Sequence, residues 1–215
     1  MTPEEEFIVD LEEYLVIKNV LTVGEVVELN RIIDRGERQG KPSLWDDPFK
    51  KLIDHPKILP YLLELLGAYV RLDHDYAIFM DQGASRGGLH GGPDIVGDHW
   101  YKCRDGTIRN GLSVVTYAQQ MLMKAMVVLL AFREAIRPIF YVFVPKEVCQ
   151  FERDVHYVVQ PAVKAGDVIF FTEALIHGTK PWTASHERRS LLSISIVQVT
   201  RLGASTTMIS NLTAS

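Results

Sequence analysis

The sequence is poor in cysteine, has no surplus of positive charge and contains no long uninterrupted apolar run. Its cysteines, Cys103 and Cys149, are too few for a disulfide framework, which favours a reducing, cytoplasmic location. A net charge of −4 without a basic stripe argues against nucleic-acid or membrane-surface binding. The apolar run 121–132 contains Lys124 and is shorter than the roughly 20 residues that span a bilayer. We therefore expect a cytoplasmic protein with neither nucleic acid nor membrane as a partner.

What the sequence does contain is the pattern of one domain, residues 1–215, in which helices precede strands. Thr22 and Glu25 have the spacing of a capping box in front of a helical stripe, and a second helix is predicted from Pro56 to Leu66. Short strands are predicted at 14–17, 69–80, 112–118, 155–159, 168–172 and from 188 onward. This order indicates an α+β fold in which helices brace a double-sheet jelly roll.

Two of the seven histidines lie in a context that suits metal binding. His90 follows a glycine-rich stretch, and His177 follows the apolar segment that begins at Val168. Imidazole nitrogens at the open ends of strands suit an iron, zinc or copper site. The same local pattern fits two buried histidines that are merely hydrogen-bonded, and by itself it does not decide between these interpretations.

A longer and more specific motif surrounds His177. The sequence reads LDHDY at 72–76, LHGGP at 89–93, AGDVIFFTEALIHGT at 165–179, PWTA at 181–184 and HERRSLL at 186–192. Together these segments resemble the phytanoyl-CoA dioxygenase family, and the similarity covers roughly residues 7–118 and 141–192.

The resemblance implies a double-stranded β-helix and a non-haem Fe(II) dioxygenase that uses 2-oxoglutarate and O2 to hydroxylate a small organic substrate. His90 and His177 correspond to the iron-binding histidines of the family. Arg188 corresponds to the arginine that binds the far carboxylate of 2-oxoglutarate. A guanidinium suits that role because it binds a carboxylate through two parallel hydrogen bonds and stays charged. On a strand, Arg189 would point to the opposite face.

The chain departs from the family at the third iron ligand. The position two residues after His90, where the family has a carboxylate, is Gly92. Asp94 on the following loop is the predicted replacement, with Asp98 on the same loop and Asp75 on a neighbouring strand as alternatives. A vacant position, as in related halogenases where a halide binds the iron, and an inactive site are the remaining interpretations. A catalytically inactive β-helix binding protein is therefore the alternative to a dioxygenase.

Two segments, 119–140 and 193–215, conflict with the family pattern. In place of the first segment the family carries Gly-Asp-Gly-Gly-Phe followed by Pro-Gly-Ser-His-Lys, whereas this chain has an apolar run typical of a helix. Codons compatible with this chain permit both missing motifs when the reading frame is shifted by two bases, and they permit a family-like continuation after Leu192. We interpret both segments as read out of frame, and we expect 119–140 to form a helix or loop that fails to complete the sheet.

Overall fold

The computed structural model describes residues 1–36, 38–85, 87–90, 103–104, 107–108, 112–117, 123–124, 127–130, 144–172 and 175–197. The helices are α1 (Pro3–Glu12), α2 (Val23–Asp34), α3 (Asp47–Lys50), α4 (Leu59–Leu66) and α5 (Lys146–Cys149), with a 3-10 helix at Pro42–Leu44. The strands are β1 (Tyr14–Ile17), β2 (Val70–Met80), β3 (Cys103–Arg104), β4 (Thr107–Ile108), β5 (Leu112–Tyr117), β6 (Met123–Lys124), β7 (Val127–Leu130), β8 (Val158–Val159), β9 (Ala162–Val163), β10 (Val168–Thr172), β11 (Ile176–Thr179) and β12 (Arg188–Val197).

Helices α1 and α2 both begin at capping boxes. The Thr22 hydroxyl accepts a hydrogen bond from the Glu25 amide at 3.2 Å, and the Glu25 carboxylate accepts one from the Thr22 amide at 2.7 Å. This confirms the predicted start of α2. Thr2 and Glu5 make the same reciprocal contacts in front of α1, a helix that the sequence pattern did not predict. In each case two backbone N–H groups without an intrahelical acceptor are satisfied.

Helix α4 begins at Leu59, three residues later than predicted, and ends before Gly67 as predicted. The His55 carbonyl accepts hydrogen bonds from Ile58 N at 2.7 Å and from Leu59 N at 2.9 Å. These contacts close a turn across 56–58 before the regular helical ladder starts. The helix ends where Gly67 takes a φ of +85°. Glycine adopts this conformation readily, whereas residues that carry a Cβ disfavour it.

The main sheet has five strands in the order β1-β10-β5-β12-β2, and every neighbouring pair is antiparallel. Residues 168–171 of β10 are all buried because both faces of the sheet are covered. Val168 and Phe170 pack against the core residues of α2 and α4, and we call this side the helix face. Ile169 and Phe171 pack with Leu192 on the other side, which we call the inner face.

The second sheet has three strands in the order β11-β7-β8, and the pairs β3-β4 and β6-β9 are two-stranded. The expectation of a helix or loop across 119–140 is therefore wrong where the structure describes this segment. Strand β7 pairs with β11 on one side and with β8 on the other. Strand β7 forms here because the backbone groups of β11 and β8 need a hydrogen-bonded neighbour, whatever side chains that neighbour carries. A run of Val and Leu also tolerates the strand conformation.

Strand β12 likewise continues into the segment 193–215. Its pairing with β2 extends to Val197, which lies opposite Val70, with a register shift between Ile194 and Ser195. The backbone of both questioned segments thus joins the sheets as far as the structure describes it. Within the described residues, no helix is long and apolar enough to cross a membrane.

Candidate metal centre

The structure brings His90 and His177 together as a cross-strand pair. His90 N donates to the His177 carbonyl at 2.8 Å, and His177 N donates to the His90 carbonyl at 2.7 Å. Directly opposed residues of an antiparallel pair project from the same side. Their ring centroids are accordingly 4.5 Å apart, with 55° between the ring planes. The two histidines that the sequence singled out are therefore close enough to bind the same metal ion.

Both imidazole rings are oriented by backbone carbonyls. Nδ1 of His90 lies 3.1 Å from the Gly88 oxygen, and Nδ1 of His177 lies 2.8 Å from the Leu175 oxygen. A carbonyl oxygen only accepts hydrogen bonds, so each Nδ1 carries a proton, and a neutral ring in this tautomer has its lone pair on Nε2. Metal-binding histidines in proteins are typically held in this way, with the second nitrogen donating to a carbonyl or carboxylate. The donor set fits a first-row transition metal.

Phe171 connects this pair to the main sheet. Its ring centroid lies 4.7 Å from that of His177, at 54° to it, and its side chain is 1% exposed. Since Phe171 belongs to the inner face, the contact shows that β11 packs across that face. One side of the His177 ring therefore packs against a buried apolar side chain.

Arg188 lies at the start of β12 and is 3% exposed. It pairs with Met80 across the sheet and shares its side of β12 with Ser190 and Leu192. Met80 and Leu192 belong to the same buried cluster as Phe171, so Arg188 projects from the inner face. Its Nε donates to Ser190 Oγ at 2.9 Å, which fixes the plane of the guanidinium. A guanidinium held in this way has the geometry to bind a carboxylate through two N–H groups.

Arg189 points to the helix face, as the strand alternation predicted. It bonds to Asp34 at 2.6 Å, to Asn30 at 2.8 Å and to Glu187 at 2.8 Å. Burial raises the pKa of Glu187, but hydrogen bonds from Arg38 and Arg189 outweigh that effect and leave the pKa below its usual value. This ion-pair network attaches β12 to α2, away from the histidine pair.

No sequence family and no curated protein matches this chain at a significant level, whereas solved structures do. HygX from Streptomyces hygroscopicus with nickel and 2-oxoglutarate bound gives a TM-score of 0.76 at 17% identity, over 91% of this chain and 86% of that one. The non-haem α-ketoglutarate-dependent carbocyclase SnoK from nogalamycin biosynthesis gives 0.64 at 15% identity, over 91% and 84%. The epimerase SnoN from the same biosynthesis gives 0.63 at 14%, over 90% and 79%. This chain has their fold.

No third side chain that could share a metal with His90 and His177 is found among the residues that the structure describes. Gly92, Asp94 and Asp98 lie outside the described residues. Asp75 is buried, but it faces Ser43, whose amide and hydroxyl donate to it at 2.6 and 3.0 Å. By the alternation along β2, it projects from the helix face, opposite to Arg188. Among the described residues, no group of three or more His, Cys, Asp or Glu side chains could hold a metal.

Sequence reasoning missed several groups that shape the site. The carbonyls of Gly88 and Leu175 precede the histidines by two residues each, but the peptide backbone gives no sequence signal for this role. Phe171 and Ser190 were detectable in principle. Phe171 alternates with the helix-face residues of β10, and Ser190 stands two residues after Arg188 on one strand, which puts it on the same side.

Proposed function

We propose that this protein is a non-haem Fe(II)- and 2-oxoglutarate-dependent dioxygenase that hydroxylates a small organic substrate with O2. The observation that carries the proposal is the adjacent pair of His90 and His177 rings, each with Nδ1 held by a carbonyl and Nε2 as the candidate ligand atom. The fold supports it, because HygX has that fold and was crystallised with iron and with nickel plus 2-oxoglutarate.

We also propose that the two sheets form a double-stranded β-helix. The main sheet and the sheet β11-β7-β8 pack through the contact between Phe171 and His177. The isolated bridge at His90 adds a further strand position beside β11. Two antiparallel sheets facing each other across an apolar interior are the architecture of a jelly roll.

In this proposal, Nε2 of His90 and of His177 hold Fe(II), and the carboxylate of Asp94 completes the set of two histidines and one carboxylate. Arg188 binds the far carboxylate of 2-oxoglutarate through its guanidinium. Ser190 accepts a hydrogen bond from Arg188 Nε and so fixes the orientation of the guanidinium plane. Bound iron and 2-oxoglutarate supply the activation of O2. The apolar inner face excludes water from this region, which strengthens the contact between Arg188 and an anion.

The substrate class rests on the structural neighbours and on the motif. HygX has been crystallised with hygromycin B, and SnoN with nogalamycin RO, so small organic molecules are bound by proteins of this fold. The segment 165–192 supports an origin near the phytanoyl-CoA dioxygenase family, although no residue marks a coenzyme A pocket. We therefore propose a small organic substrate and name no compound.

One observation favours a second candidate function. Gly92 occupies the position that carries a carboxylate in the family, and glycine has no side-chain ligand atom. If no aspartate replaces it, the chain is a binding protein of this fold without catalysis, or a halogenase-like enzyme in which a halide occupies the position.

The test is anaerobic Fe(II) binding followed by succinate release in the presence of O2 and 2-oxoglutarate. We expect saturable iron binding that His90→Ala and His177→Ala each abolish, with His156→Ala as the matched control because His156 is an exposed histidine outside the pair. Succinate release should require both iron and 2-oxoglutarate. Iron binding without succinate release would favour the binding protein, and failure of the unchanged chain to bind iron or nickel would overturn the proposed dioxygenase.

A further inference from the structure

We infer that Gly178 and Cys149 are positioning residues for His90, holding it from two sides so that its ring is presented to the metal. The inference rests on the proposed function for the identity of the metal, but the geometry that it describes exists in the metal-free chain. Neither residue carries a ligand atom in the proposed site. Both act through the segment 87–90, which contains the acceptor that orients the His90 ring.

Gly178 must be a glycine because another backbone segment passes close to it. A Cβ at this position would lie 2.8 Å from the Gly88 oxygen, 3.0 Å from the Gly88 carbonyl carbon and 3.1 Å from Leu89 Cα. All three neighbours are backbone atoms, so they cannot rotate out of the way as a flexible side chain would. Gly178 is therefore required for the close approach of β11 and the segment 87–90.

The atom that a methyl group at Gly178 would displace is the one that orients His90. The Gly88 oxygen accepts the hydrogen bond from His90 Nδ1 at 3.1 Å. The backbone pair between His90 and His177 is only one residue away from this contact. A shift of the Gly88 carbonyl would weaken the hydrogen bond that fixes the tautomer and the orientation of the His90 ring.

Cys149 holds the same segment from the opposite side. Its carbonyl accepts a hydrogen bond from Leu89 N at 2.8 Å, and its Sγ donates to the Leu89 oxygen at 3.1 Å. A Cβ at Gly88 would lie 2.2 Å from the Cys149 oxygen, so the end of α5 lies directly against this segment. Leu89 and Val148 are buried together in a small cluster, which keeps α5 in place.

The segment 87–90 is thus clamped between α5 and β11, and His90 inherits its position from both contacts. Partners that orient a metal-binding histidine typically change metal affinity by about 10- to 100-fold when they are removed. We expect Gly178→Ala to weaken Ni(II) binding within that range. Gly24→Ala is the matched control, because the nearest atom to a Cβ at Gly24 is Thr22 Oγ1 at 4.0 Å.

Cys149 provides a second pair of variants with little steric demand. Cys149→Ala removes the donor to the Leu89 oxygen and should weaken Ni(II) binding by about tenfold. Cys149→Ser keeps a donor at this position, so it should restore affinity close to that of the unchanged chain. A merely structural role would lower the thermal midpoint of both variants without this selective rescue.

The decisive experiment combines Ni(II) titration by calorimetry with ¹H–¹⁵N spectra of the imidazole groups in the metal-free chain. We expect a protonated Nδ1 for His90 in the unchanged chain, and a mixed tautomer signal in Gly178→Ala and Cys149→Ala. If the unchanged chain binds no nickel but these tautomer signals change as expected, the proposed function fails and the positioning role stands. If Gly178→Ala does not fold, the Cys149 pair decides. Tautomer signals and nickel affinities equal to those of the unchanged chain would overturn the inference.

Discussion

Arg188 and Arg189 are neighbours in β12, but their guanidinium groups lie on opposite faces of the main sheet. Arg188 is buried on the inner face, where its Nε bonds to Ser190. Arg189 lies on the helix face and bonds to Asp34 of α2. Successive side chains of a strand point to opposite faces, so the two arginines lie in different environments. Matched substitutions at the two positions should therefore have different consequences, and this separates ligand binding from stability.

Arg188→Met should sharply raise the concentration of 2-oxoglutarate needed for half-maximal succinate release. Hydrogen bonds to a charged group contribute about 1.5–3 kcal/mol, which corresponds to roughly a 10- to 150-fold change. Anaerobic Fe(II) affinity should stay nearly unchanged because the histidines are not altered. An unchanged 2-oxoglutarate requirement would contradict this role for Arg188.

Arg189→Met is the control for that experiment and carries the opposite expectation. It breaks the bonds to Asp34 and Glu187, and the free energy of unfolding should fall by about 1–2 kcal/mol. The 2-oxoglutarate requirement should not move. Urea unfolding and steady-state kinetics on the same preparations measure both quantities.

Much of the fold follows from local sequence signals. Strand β10 was predicted with its observed bounds because a glycine-containing turn precedes its apolar run. Helix α2 was predicted from the capping box at Thr22. Helix α1 has the same box at Thr2 but was missed, since Val9 is its only buried residue and its apolar stripe is weak. The strand β7 was mistaken for a helix or loop because a continuous apolar run does not reveal its period.

The site was only partly predictable. His90 and His177 were found through the family resemblance, and their pairing required the structure, because the two residues are distant in sequence. The contact of Phe171 with His177 depends on how one sheet packs across the other. The carbonyl acceptors of the two rings depend on backbone conformation alone. None of these relationships leaves a periodic signal in the sequence.

Asp167→Ala should be among the most destabilising single substitutions outside the site. The carboxylate is fully buried and accepts hydrogen bonds from Asn19 N at 2.9 Å and from Lys164 N at 3.0 Å, as well as an ion pair from Lys18 at 3.0 Å. Its removal leaves these two N–H groups without their acceptor and Lys18 without its carboxylate partner, so the free energy of unfolding should fall by about 2–4 kcal/mol.

Asp154→Ala is the matched control for Asp167→Ala. Asp154 is exposed and pairs with Lys180 at the surface, at 2.6 Å. Exposed ion pairs contribute about 0–1 kcal/mol, so urea unfolding should detect little change. Equal losses for the two variants would show that the turn before β10 does not depend on the buried carboxylate.

Glu13 should make the chain less stable as the pH rises. Burial raises the pKa of its carboxyl above the usual 4.5, and a hydrogen bond from the Thr172 hydroxyl only partly offsets this. The carboxyl therefore has a higher pKa in the folded chain than in the unfolded chain, where it is near 4.5. Between these two pKa values the folded chain binds more protons at this position, so the free energy of unfolding falls as the pH rises through that window. Glu13→Gln removes the titration. It should be more stable than the unchanged chain near pH 7 and show little gain near pH 4, whereas Glu6→Gln at an exposed position should show neither effect.

Replacing 119–140 by the sequence that the shifted reading frame permits should increase both stability and metal affinity. The reason is that β7 lies between β11, which carries His177, and β8, so this segment supports a strand of the candidate site. Backbone pairing tolerates the present residues, but side chains selected for neither face pack poorly against their neighbours. We expect the free energy of unfolding to rise by more than about 1 kcal/mol and Ni(II) to bind more tightly, and a chain carrying the same residues in scrambled order is the control. Equal stability and affinity in the original and replaced chains would show that the present segment already fits this fold, and the nucleotide sequence of the gene would then be expected to contain no frame change there.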